Sequence, residues 1–341
     1  MNKLLALGVM ILLVAGNALA QQRPQYTQYT LNNYLANPAI TGIEDYADLK
    51  LGTRQQWSGL EGAPQSYYAT LHMPINNPGS AYSRGRRSGG LPKESSMKGS
   101  SIYRKARAHH GFGLMAMSTR TGPLKRGSVS ASYAYHQPLT RSIQVSAGVQ
   151  PGIIQYSLDP ARVKLAGNSA NDPAIYDGRV NEVKFDLSAG LWLYSRNFYV
   201  GVAGAQLVPS KRQYLPDNTP SDNDGSLQQH YYVTGGYRID VAPYIALVPS
   251  VMVKMAQPSP LSIDGTMKVI YGDRLWAGLT YRHKESVAAM AGININYLLD
   301  LAYSYDASTS PLGNANAGSH EVVLGFKLRN ARKVFCPEWA W

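Results

Sequence analysis

Between Asp48 and Met73 the chain changes character at every step. Leu49, Leu51, Thr53, Gln55 and Trp57 fall on one face, and Asp48, Lys50, Gly52, Arg54 and Gln56 on the other. After a connection over 58–64 that holds two glycines and a proline, Tyr67, Ala69, Leu71 and Met73 alternate with Ser66, Tyr68, Thr70 and His72. A period of two is that of a β-strand, because successive side chains point to opposite sides of a sheet. Charge on one face and apolar residues on the other describe a sheet between two different solvents. Upstream, Asn37-Pro38 stops any helix, because the proline ring disfavours the helical region at the residue before it, and Gly42 permits a sharp turn.

The same alternation recurs to the end of the 341-residue chain. It predicts strands near 47–57, 64–75, 110–119, 126–138, 142–156, 183–195, 197–208, 229–240, 243–254, 260–271, 274–282, 287–297, 299–307 and 319–329. Their number, about 14, is even, as in single-chain bacterial barrels. After the leader no apolar run approaches the roughly 20 residues that a membrane helix needs. Yet 24 tyrosines against 5 phenylalanines, with 32 glycines, is the mixture of a barrel with aromatic girdles. Tight turns alternate with longer loops, which is how such barrels divide periplasm from exterior. A soluble sandwich of this length needs a core richer in Val, Ile, Leu and Phe. The expected fold is therefore all-β, a transmembrane antiparallel β-barrel of about 14 strands of the outer-membrane type.

Closure requires the last strand to pair with the first, because an open sheet edge is not tolerated in lipid. The facing rule then places Lys50, Arg54, Gln56, Thr70 and His72 in the lumen, with Asp300, Asp306, Glu321 and Lys327 from the last two strands. Arg54 is expected to approach Glu321 or Asp306. Such a network can fill and rigidify the lumen, or line a polar path or docking pocket.

Residues 1–20 read as a signal peptide, with Lys3, an apolar run over 4–14 and Ala18-Leu19-Ala20 as the cleavage site. Residues 21–46 are expected to form an N-terminal periplasmic arm with a short helix near 29–36. Residues 47–330 form the barrel and 331–341 a tail. Within the barrel, the connection 76–108 is a basic, flexible loop. It carries Arg84, Arg86, Arg87, Lys93, Lys98, Arg104, Lys105 and Arg107 against one acid, Glu94. Its two readings are a solvated insertion and an arm that docks an acidic periplasmic partner or lipid phosphates. The formal charge of +12 would suggest nucleic acid in a cytoplasmic protein, but an exported one meets lipid phosphates and acidic partners instead. The single cysteine, Cys336, cannot form an internal disulfide.

No catalytic motif stands out, and no catalytic, cofactor-binding or metal residues are assigned. His109-His110 point to opposite faces of a strand and cannot share a metal. Asp222-Asn223-Asp224-Gly225 lacks the first ligand and the closing glutamate of a calcium loop.

Two separated blocks resemble one family. Asn37-Pro38-Ala39, Gly42, Arg54-Gln55-Gln56-Trp57, Gly62-Ala63-Pro64 and His72 resemble the opening signature of the PorP/SprF proteins of the Bacteroidetes type IX secretion and gliding machinery. Tyr303-Ser304-Tyr305-Asp306 and Asn316 through Gly318-Ser319-His320-Glu321 resemble its closing strands. The likeness spans about 28 to 321. The 76–108 connection departs from the family's compact one. The resemblance implies a non-enzymatic protein of the cell outer membrane that supports secretion or surface anchoring of a large adhesin-type cargo. Its implied partners are outer-membrane lipid, a secreted adhesin with a C-terminal sorting domain, and periplasmic type IX components, with no nucleic acid and no cofactor. The alternative is a channel for small solutes.

Overall fold

The computed structural model describes residues 26–75, 107–159, 181–209, 211–212, 225–226, 228–256, 259–310 and 316–330. The expected signal peptide, the basic arm apart from Arg107, Asp222–Asp224 of the rejected calcium loop, and Cys336 lie outside them.

Fourteen strands close into one antiparallel barrel. They are β1 (Ala47–Gln55), β2 (Gln65–Ile75), β3 (His109–Thr121), β4 (Leu124–Pro138), β5 (Gln144–Leu158), β6 (Asn181–Tyr194) and β7 (Phe198–Ala205). Next come β8 (His230–Tyr237, resuming at Ile239–Ala242), β9 (Ile245–Met255), β10 (Ser262–Tyr271), β11 (Leu275–Arg282), β12 (Ser286–Asn294), β13 (Leu299–Ser308) and β14 (Ser319–Leu328). Each pairs with its neighbours in sequence, and β14 pairs with β1 with Arg54 opposite Glu321 and Ala47 opposite Leu328. No edge is left, which is the condition for a sheet to exist in lipid. Between β7 and β8 a two-residue ladder joins Lys211–Arg212 to Gly225–Ser226.

The connections at one end include the long ones, over 56–64, 159–180, 206–229 and 309–318. Those at the other, over 139–143, 195–197, 243–244, 272–274 and 295–298, are short, with 76–108 the exception. The long-loop end is therefore the extracellular one. Outward-facing tyrosines form two girdles: Tyr67, Tyr231, Tyr281 and Tyr305 toward the extracellular end, and Tyr135, Tyr237, Tyr244 and Tyr271 toward the periplasmic end, all exposed. Between them Leu51, Leu114, Val149, Val202, Val233 and Leu279 present an apolar band. Amphipathic rings at both interfaces and aliphatic side chains between are what a bilayer selects.

Residues 26–46 depart from the expectation of a periplasmic arm. They run through the interior of the barrel, with Tyr26, Thr27, Gln28, Asn33, Asn37 and Thr41 all buried. The expected helix near 29–36 is absent. Three separate 3-10 turns, Thr27–Thr30, Asn33–Leu35 and Pro38–Ile40, take its place. Threonine and asparagine compete with a helix by bonding elsewhere through their side chains. Here those bonds go to the barrel wall.

Candidate functional site: a lumen occupied by the chain's own N-terminal segment

The segment enters the described structure at the extracellular end. Thr27 donates its backbone N–H to Glu321 Oε2 at 2.8 Å and its hydroxyl to Asp306 Oδ2 at 2.6 Å. Arg54, at the extracellular end of β1, completes the knot. Its Nη2 lies 2.7 Å from Asp306 Oδ2 and its Nη1 lies 3.1 Å from Glu321 Oε2 and 3.0 Å from Thr27 Oγ1. The network continues around the wall, as Arg282 approaches Asp306 at 3.8 Å and Asp264 at 3.3 Å, and Lys254 meets Asp264 at 2.6 Å. Three cations thus face three carboxylates in a buried layer. Charges out of water are tolerated only when paired and hydrogen-bonded, and each of these has both kinds of partner.

Halfway down, the segment is held by neutral bonds. Asn32 Nδ2 donates to Thr70 Oγ1 at 2.9 Å, Tyr29 bonds Thr266 at 3.1 Å, and Tyr34 bonds Ser132 at 2.6 Å. Asn37 folds on itself, with Oδ1 accepting from the Ala39 N–H at 2.9 Å. Its Nδ2 donates to the carbonyls of Leu191 and Val202 at 3.0 and 3.1 Å, on β6 and β7. Apolar side chains fill the remaining space. Tyr34, Leu35, Ala39, Ile40 and Ile43 pack with Trp192, Tyr199, Val248, Ile270, Ala302 and Val323, while Tyr29 reaches Ala203, Tyr232 and Met252. The segment therefore touches strands on opposite sides of the lumen.

Inward glycines form its seat. A Cβ on Gly148 would stand 2.6 Å from Ala39 Cα, one on Gly190 would strike the Asn37 side chain, and one on Gly111 would strike the Thr41 carbonyl. Gly42 is itself left-handed, with φ of 77°, where the segment crosses Gly111.

At the periplasmic end three histidines cradle the turn. His136 Nε2 donates to the Thr41 carbonyl at 2.8 Å, His109 Nε2 to the Gly42 carbonyl at 3.1 Å, and His72 Nδ1 accepts the Gly42 N–H at 3.3 Å. His109 and His136 stack with ring centroids 4.4 Å apart. His110, on the opposite face of β3, bonds Tyr133 at 2.6 Å. Below them Asp48 pairs with Lys50 and lies 3.7 Å from His72, and Lys327 lies 3.8 Å from Asp300.

The sequence-derived lumen residues thus separate into two groups. Arg54, Asp306 and Glu321 meet at the extracellular end, and Lys50 and His72 meet through Asp48 at the periplasmic end. Gln56 joins neither. β1 ends at Gln55, and Gln56 sits in the turn, donating its N–H to the Pro64 carbonyl at 2.9 Å. Trp57 is likewise in the turn, at φ of 48°, with its N–H on Ser319 Oγ at 3.2 Å. Gly62 accepts the Gly122 N–H at 2.9 Å and so ties the first hairpin to the second. Asn37, Pro38 and Gly42 belong to the lumen segment. Arg107 is exposed. Lys254, Asp264, Arg282, His109 and His136 join the lumen residues, and strand parity in the sequence is the signal that places all five inward.

A closed barrel with tyrosine girdles, an apolar belt and a polar interior filled by its own N-terminal segment defines an outer-membrane β-barrel protein. The profile described as type IX secretion system membrane protein PorP/SprF matches residues 18–326, and the chain belongs to that family. It is a protein of the outer membrane. Among solved structures it is similar in fold to the Acinetobacter baumannii outer membrane protein Omp33, at 8% identity and TM-score 0.44 over 84% of this chain and 100% of that one. A Pseudomonas aeruginosa FadL homologue is similar at 10% identity and TM-score 0.45, over 89% and 94%. The Pseudomonas putida toluene transporter TodX is similar at 8% and 0.43, over 89% and 93%. A comparison with curated proteins finds no match.

Proposed function

We propose that this barrel is a non-enzymatic component of the type IX secretion system that supports secretion or surface anchoring of a large adhesin-type cargo. It works through protein contacts on its rim and loops. Family membership supplies the pathway. The observation that supports the rest is the lumen itself, crossed by residues 26–43, which hold polar and apolar contacts to opposite walls. A barrel filled this way has its loops and rims left for recognition, and the fill weighs against the alternative of a small-solute channel. The proposed partners are a secreted adhesin with a C-terminal sorting domain outside, and periplasmic components of the same system, with the 76–108 connection as the basic docking element.

The test is mild crosslinking in native cells, capture through a tag in an extracellular loop, and mass spectrometry of what is retained. Recovery of a large adhesin crosslinked to loops such as 206–229 supports the proposal. Recovery of no partner, together with steady conductance of the purified protein, contradicts it.

A further inference from the structure

Four strands next to the β1–β14 seam carry an outward pattern that the lumen does not explain. At their extracellular ends Gln65, Arg120, Lys125 and Ser157 stand side by side on β2, β3, β4 and β5, in register. Arg120 and Lys125 are directly paired, both are exposed, and neither has an ion pair among the described residues. Like charges directly opposite each other on a sheet repel. No carboxylate lies in this row or in the next one toward the membrane centre, and Asp159 lies beyond the cations, with its N–H on the Pro123 carbonyl at 3.0 Å.

One row toward the membrane centre come Tyr67, Ser118, Gly127 and Gln155, and below these Ala69, Ala116, Val129 and Ile153. The small residues here leave a shallow, open and largely apolar depression in the lipid-facing wall, bounded by Tyr67, Val129 and Ile153. Gly127 has nothing within 4 Å of where its side chain would stand. Tyr67 belongs to the extracellular girdle, so the two cations sit just above it, at the level of lipid head groups.

We propose that this face binds a phosphorylated lipid of the outer leaflet, of the lipid A class, with a phosphate between Arg120 and Lys125 and an acyl chain in the concavity below. The charge complementarity selects a phosphate over a zwitterionic head group, and the concavity selects an acyl-bearing ligand over a free anion. Basic clusters beside membrane-spanning elements recognise lipid head groups by the same physics. The site is independent of the cargo reading and stands or falls separately.

Native mass spectrometry of the full chain in detergent, with bis-phosphorylated lipid A added, tests it. The expected result is a bound lipid A that excess inorganic phosphate does not displace. The double variant Arg120→Ala with Lys125→Ala should weaken binding about twenty-five-fold, taking roughly a factor of five for each cation near a membrane surface. Gly127→Leu, which fills open space outside the barrel, should weaken it while both cations remain. Heat-dependent gel mobility identical to the parent shows that each variant is folded. Unchanged binding in the folded double variant overturns the proposal. So does equal binding of a dephosphorylated lipid, which would mean acyl contacts alone, or displacement by inorganic phosphate, which would mean a free-anion site.

Discussion

Arg54 and Glu321 face each other across the seam where β14 meets β1, directly opposite in register and 3.1 Å apart, with both side chains almost wholly excluded from solvent. The pair closes the barrel and also grips its contents, because Glu321 Oε2 accepts the Thr27 N–H as well. Cylinder and filling are thus joined at one carboxylate.

Removing one partner leaves the other charged and buried. Arg54→Ala is therefore expected to destabilise the folded barrel by about 3–5 kcal/mol. Glu321→Gln keeps an acceptor for Thr27 and should cost less. Urea unfolding in detergent, followed by heat-dependent gel mobility, checks the order and the size.

Asn37 makes three hydrogen bonds that no other short side chain reproduces together. Asn37→Ala removes the buried donor to the Leu191 and Val202 carbonyls and the acceptor for the Ala39 N–H, and should cost about 0.5–1.5 kcal/mol for each hydrogen bond lost. Asn37→Asp should be worse than alanine near neutral pH, because it sets a carboxylate against two carbonyl oxygens. The same unfolding assay ranks the two variants.

The glycine seat predicts a steric test of the lumen segment. Gly148→Val places a branched side chain where Pro38 and Ala39 lie, and the segment should be expelled while the strands stay paired. A protease should then cleave within 29–36 in the variant and leave the folded parent intact at these positions. Gly127→Val, on the outer wall with open space around it, is the matched control and should stay protected.

Gly42→Ala combines a left-handed backbone with a Cβ 2.9 Å from the Met73 carbonyl. Alanine at such a position should destabilise by about 1 kcal/mol or more from the backbone alone. Loss of the His72 and His109 contacts adds to this, and cleavage by the same protease should rise.

Most of the wall was legible because alternation is a local signal. Runs such as Ser128–Ser132 or Val145–Val149 declare their faces without any knowledge of their neighbours. The Arg54–Glu321–Asp306 meeting also followed, since closure forces the last strand against the first. The lumen segment was not legible for a physical reason. Burial usually shows as apolar composition, but a barrel interior is lined with hydroxyls, imidazoles and charges. Gln28, Asn32 and Asn37 can therefore be buried there and still read as solvent-exposed. The signal that existed was indirect, in the inward glycines Gly111, Gly148 and Gly190, which leave room for a backbone. Gln56 and Trp57 were misplaced because alternation runs on past the end of a strand, and only a positive φ at Trp57 marks the turn.

The most direct test of the central claim is conductance in a planar bilayer, comparing the parent with Gly148→Val. A lumen occupied by residues 26–43 predicts no steady unitary conductance from the parent and clear openings from the variant. Steady conductance from the parent, unchanged in the variant, would contradict the account and leave an open pore in its place.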